Sequence, residues 1–160
     1  MSFDKNIWGN NIWYLFHTLA YQITETDFKQ LKPELIYIVK TISSNLPCPE
    51  CSSDATILLN KINFDNINSK EEFKLLLFNF HNHINKKLGK PVFEKSELDI
   101  LYSKTYLNNI YNNFCIIFSS NSNNPSLMSS SFHRQQNLSK IKISILKIMS
   151  TLKIKPILKI

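Results

Sequence analysis

A chain of 160 residues, 43% hydrophobic and 12% aromatic, has enough apolar side chains for one packed domain. Two glycines argue against a turn-rich sheet protein, and three cysteines are too few for a disulfide scaffold. The net charge of +7 is uneven: residues 1–131 hold twelve lysines and all twelve acidic residues, so the excess sits in residues 132–160, on Arg134, Lys140, Lys142, Lys147, Lys153, Lys155 and Lys159.

Apolar periodicity predicts five helices in the first 118 residues. The first runs from about Asn11 to Ile23, with Ile12, Leu15, Phe16 and Leu19 on one face. The second runs from about Phe28 to Ser44, with Pro33 placed in its first turn. The third begins at Cys48-Pro49-Glu50-Cys51 and continues through Leu59. The fourth opens at Ser69 with Glu72 three residues on, a capping-box spacing, and stops at Gly89 and Pro91. The fifth runs from about Ser96 to Phe114. Short connections between these helices imply a compact bundle.

Residues 119–131 are polar and of low complexity, and read as a linker. The segment 132–160 reads as a basic amphipathic helix, suited to an anionic partner or a membrane surface, or simply solvated. The start, Met1-Ser2-Phe3-Asp4-Lys5, lacks the pattern of a secretory signal. No window approaches the roughly 18 apolar residues of a membrane span. The expected location is therefore the cytoplasm.

Two thiols three apart can close into a disulfide, share a metal or relay electrons. Pro49 after Cys48 suits the first position of a helix, which makes Cys48 the cap residue. The helix N-terminus lowers a nearby thiol pKa, so Cys48 suits nucleophilic exchange. Cys51 sits one turn further on, on the same side. A zinc site needs two more ligands. His81 and His83 are two apart on a helix and point to different faces, and Cys115 stands alone, so no metal site is expected. Trp13 and His17 share a face of the first helix; His81 and Asn85 share a face of the fourth, followed by Lys86, Lys87 and Lys90. Rings, amides and lysines near a dithiol suit a flat aromatic cofactor that carries phosphates, although each residue taken singly has an ordinary structural use.

Three blocks in order carry a family resemblance: Trp8-Gly9 with Trp13, His17-Thr18 and Ala20; Leu46-Pro47-Cys48 with Cys51; and His81-Asn82 with Ile84-Asn85, Leu88-Gly89-Lys90-Pro91 and Phe93. Over about residues 7–115 the chain resembles the FAD-linked sulfhydryl oxidases of the Erv/ALR type, most of all the short forms encoded by large DNA viruses. The resemblance implies an all-α fold, a four-helix bundle with a short fifth helix, to which this chain adds its basic C-terminal tail. Together with the linker and tail read from composition, this divides the chain into an oxidase domain at 1–118, the linker at 119–131 and the tail at 132–160. It implies FAD as cofactor, thiol-containing protein substrates, molecular oxygen as acceptor with hydrogen peroxide as product, and a homodimer. If the chain is viral, it implies the host cytoplasm or the virion.

Carried over by position, Cys51 is the flavin-proximal sulfur and Cys48 the one that exchanges with substrate. Gly9, Trp13, His17, His81, Asn82, Asn85, Lys87, Leu88 and Lys90 line FAD. Tyr102 stands where a tryptophan is common. The chain departs from the family at Asn10, where an arginine is common, and at Phe78 and Lys95, where many cellular members have a second disulfide. It has no second CxxC shuttle. Two rival readings follow from the residues alone: a non-enzymatic helical binding module with a structural zinc or dithiol and a basic tail for nucleic acid or membrane, and a thiol carrier without flavin.

Overall fold

The first helix begins where the sequence supplies a cap: the Asp4 carboxylate accepts from the Asn6 amide at 2.7 Å. The structure is a computed structural model that describes residues 4–121 and 123–154. Lys155 and Lys159 lie outside the described residues. Helices α1 (Lys5–Gln22), α2 (Glu25–Ser43), α3 (Pro49–Asn60), α4 (Lys70–Lys87), α5 (Lys95–Tyr102), α6 (Leu107–Phe118) and α7 (Met128–Thr151) follow in chain order, with short 3-10 turns at Phe64–Asn66 and Pro125–Leu127. No strand occurs among the described residues, and the fold is all-α as expected.

Helix starts follow local chemistry. The Thr24 hydroxyl accepts from the Asp27 amide and begins α2 at Glu25. Pro33 therefore lies inside α2, not in its first turn. Ser69 and Glu72 form the reciprocal capping box of α4. Gly89 takes φ +66°, the left-handed conformation that ends a helix at little cost for glycine.

The fifth predicted helix is two. Ser103–Tyr106 interrupts it, because the Thr105 hydroxyl turns back to the Tyr102 carbonyl at 2.9 Å. The same hydroxyl lies 2.7 Å from that of Thr18, and the Gln22 amide donates to the Thr105 carbonyl at 2.7 Å. α1 thus holds the break in place.

The core is one cluster. Leu15 and Leu19 of α1, Leu31, Leu35, Ile38 and Ile42 of α2, Leu77 of α4, and Phe114 and Phe118 of α6 are almost wholly buried. Each such side chain contributes about 2 kcal/mol of burial free energy. α6 packs on α1, and α7 packs on α2 and α6.

The C-terminal tail differs from its expectation. The stretch 119–131 ends in a 3-10 turn and the first residues of α7. The apolar face of α7, with Ile141, Ile145, Ile148 and Met149, is fully buried in the same core. That face is spent on the fold and is not presented to a membrane. α7 runs antiparallel to α2: Asn137 donates to the Asn45 side chain at 3.1 Å, and Lys147 pairs with Glu34. Arg134 is not a solvated charge either. It is buried, and its guanidinium donates to the carbonyls of Phe118 and Ser120 at 3.0 and 2.6 Å, which caps the C-terminus of α6.

Candidate functional site: a dithiol beside an aromatic cavity

Cys48 is the N-cap of α3 and Pro49 its first residue. The Cys51 amide donates to the Cys48 sulfur at 3.2 Å, so that sulfur sits on the unpaired amides of a helix start. The two cysteines form a disulfide, with Cα atoms 5.2 Å apart. Both are partly buried against the core, and the Ser52 side chain anchors the incoming loop by accepting from the Leu46 amide at 2.8 Å.

A cavity of about 580 Å3 opens between α1, α3, α4 and α5, a size usual for a cofactor or large ligand. Cys51 lies in its wall and Cys48 does not. Of the residues expected around the cofactor, Gly9, Trp13, His81, Asn85, Lys87, Leu88, Lys90 and Tyr102 line the cavity. Two stacked ring pairs stand at it. Trp13 lies flat on His81 at 4.0 Å and 9°, and His17 lies on Tyr102 at 4.5 Å and 14°. The two pairs join where His17 Nε2 meets His81 Nδ1 at 3.1 Å.

His17 and Asn82 stand outside the cavity wall and act through neighbours. His17 holds the His81 ring from behind. Asn82 clamps the segment after the Gly-Lys-Pro turn: its amide donates to the Phe93 carbonyl and its oxygen accepts from the Phe93 amide, each at 2.9 Å. Asn85 completes the clamp, donating to the Pro91 carbonyl at 3.2 Å and accepting the Lys90 amide on its own carbonyl at 2.8 Å.

The electrostatics divide the cavity. Burial, with the neighbouring His81, pushes the His17 pKa down to about 3. Burial, with Lys90, pushes His81 down to about 4. Both imidazoles are therefore neutral at ordinary pH, and one proton serves the bond between them. Burial, with Tyr14, raises the Tyr102 pKa, so its phenol stays protonated. Lys5, Lys87 and Lys90 also line the cavity. Lys90 donates to the Asn6 side chain at 2.9 Å, and Lys87 pairs with Asp54.

Sequence reasoning missed Lys5, Asp54 and Glu97 as cavity residues. Lys5 was out of reach because the first helix was begun at Asn11 and not at Lys5. Asp54 carried a usable signal: it is three residues after Cys51 on one helix, hence on the same face. His81 and His83 do not share a site, since His81 is buried and His83 exposed.

The residues present fit a flat, phosphate-bearing cofactor. Aromatic faces line the cavity, lysines stand at it, and a Cβ built on Gly9 meets no atom within 4 Å. An all-α bundle with one sulfur of a disulfide in the wall of such a cavity and the other outside it defines a class: helical thiol–disulfide exchange proteins with an internal ligand site. The sequence model of the Erv1 / Alr family matches residues 10–103, and the chain belongs to that family. It is 33% identical over 103 residues to the FAD-linked sulfhydryl oxidase of African swine fever virus (isolate Tick/Malawi/Lil 20-1/1983), covering 64% of this chain and 86% of the relative. It is 32% identical over 92 residues to protein 096R of Invertebrate iridescent virus 3, covering 57% of this chain and 62% of that relative. It is 33% identical over 96 residues to the FAD-linked sulfhydryl oxidase ERV1 of Arabidopsis thaliana, covering 60% of this chain and half of the relative. No solved structure matches the chain.

Proposed function

We propose that the chain is an FAD-dependent thiol oxidase that forms disulfides in substrate proteins. The observation that carries this reading is the split placement of the pair: Cys51 lies in the wall of the aromatic cavity and Cys48 outside it. A substrate thiolate attacks the Cys48 sulfur, forms a mixed disulfide there and releases Cys51 as a thiolate. The second substrate thiol then attacks the mixed disulfide at the substrate sulfur, leaving the substrate oxidised and Cys48 and Cys51 as a dithiol. The amides at the start of α3 favour negative charge on these sulfurs. When bound in the cavity, FAD would supply the acceptor for the two electrons of the dithiol, with oxygen as their final acceptor and hydrogen peroxide as product. Trp13, His81 and Tyr102 would hold it by their ring faces, Lys5 and Lys90 would supply its counter-charge, and the Asn82 and Asn85 clamps fix the turn at the cavity's edge.

The test is direct. Purified protein shows flavin absorbance and consumes oxygen with a model dithiol. Cys51→Ser keeps the flavin and loses turnover. A colourless protein that consumes no oxygen would overturn the reading in favour of a binding module.

The same proposal places the oxidase chemistry within residues 1–118, in the cytoplasm, and in an infected cell if the source is a large DNA virus, as for two of the relatives above. No helix among the described residues is long and apolar enough to cross a membrane. A homodimer belongs to the proposal as well. Because α6 and α7 cover α1 and α2, a second copy meets another surface, and light scattering reads the mass. Lys140 on α7 and Lys153 just past its end, both exposed, suit an acidic partner, testable by salt-sensitive binding.

A further inference from the structure

Asp54 and Cys51 are neighbours on one face of α3, and both line the cavity. Across the cavity Asp54 pairs with Lys87, in the last turn of α4. α3 is held to the core from below by Ala55 and Leu59, its two fully buried residues. On the cavity side it has far less: among the described residues Asp54–Lys87 is the one hydrogen bond or ion pair that joins α3 to α4.

Resting on the oxidase reading above, we propose that Asp54 is a positioning residue: paired with Lys87, it ties the helix that carries Cys51 to the helix that walls the cavity, and so fixes how far Cys51 stands from the bound cofactor. The pair is half exposed, with side chains 41% and 53% accessible. A pair of that kind adds about 0–1 kcal/mol to stability, so its effect lies in geometry, not in holding the fold. Pairing also commits Lys87. Lys5 and Lys90, which have no acidic partner among the described residues, remain as the cations for the cofactor's phosphates.

The experiment compares the full chain with Asp54→Asn, which keeps shape and loses charge, and with Asp54→Glu, which keeps the charge. Three readouts are taken: FAD affinity by fluorescence titration, flavin bleaching by a dithiol in a single turnover without oxygen, and amide hydrogen exchange along α3. Asp54→Asn is expected to bind FAD within about threefold of the parent, because stacking and the other two lysines remain, and to bleach about tenfold more slowly, the scale of a small misplacement of reacting groups. Its α3 amides exchange faster. Asp54→Glu recovers most of the bleaching rate. In 1 M salt, where the Debye length falls to about 3 Å, the parent slows toward Asp54→Asn and the variant does not change. Parent-like bleaching in Asp54→Asn, no recovery in Asp54→Glu, or a loss of FAD affinity that accounts for the slower bleaching would each overturn the proposal. If the chain binds no flavin, the oxidase reading fails separately, and hydrogen exchange alone decides: unchanged α3 protection in Asp54→Asn then removes the latch.

Discussion

Two neutral imidazoles, His81 in the wall of the cavity and His17 behind it, share one proton. Their folded pKa values, about 3 and about 4, lie below the ordinary value of 6.5. Below pH 6.5 the unfolded chain therefore binds protons that the folded chain does not, and stability falls as pH drops from 6.5 through 4 toward 3. Thermal unfolding between pH 7 and pH 4 should show that fall. His17→Gln, which titrates at no pH in the window, should flatten it; an unchanged slope would sink the assignment. At this scale the sequence was informative wherever a motif is local. The cap role of Cys48 and the left-handed Gly89 follow from neighbours in the chain. The bond between His17 and His81 spans 64 positions, and the clamp of Asn82 on Phe93 spans 11. Types and spacing alone place such residues near a site without saying that His81 lines the cavity and His17 holds it from behind.

Thr105 shows why one element was misread. Its neighbours Leu101, Leu107 and Ile110 keep helical spacing, so periodicity carried a single helix across it. The break depends on Thr18 and Gln22 of α1, 87 and 83 positions away, and no local pattern reports them. The break also has a use. It ends α5 at Tyr102, whose ring then lies on His17. One turn before Tyr102, Asp99 ties α5 down through Tyr21 of α1 and Lys74 of α4. Thr105→Val keeps the shape and removes the hydroxyl. It should cost about 1 kcal/mol in chemical denaturation, the worth of a typical hydrogen bond. FAD affinity should weaken with it, and parent-like FAD binding would separate α5 placement from the cofactor site.

The whole molecule is larger than the part its family model matches. That match ends at residue 103, and α6 and α7 lie beyond it. Their charge count was plain in the sequence, but the destination of their apolar face was not, since an amphipathic pattern looks the same against a core or a membrane. Ile145 is wholly buried against that core. Ile145→Ala should cost about 3 kcal/mol in denaturant while FAD affinity stays within a factor of about two, because distant sites act independently. A loss below about 1 kcal/mol would mean that α7 is loosely attached. Synthesis order draws a last consequence from the antiparallel seating of α7 on α2. Glu34 and Lys147, which pair across that seam, are 113 positions apart. At ribosomal speed the outer face of α2 waits on the order of ten seconds for its cover. Until then a nascent chain that already carries Cys48 and Cys51 lacks the cover of that face, so the core closes only after α7 has left the ribosome.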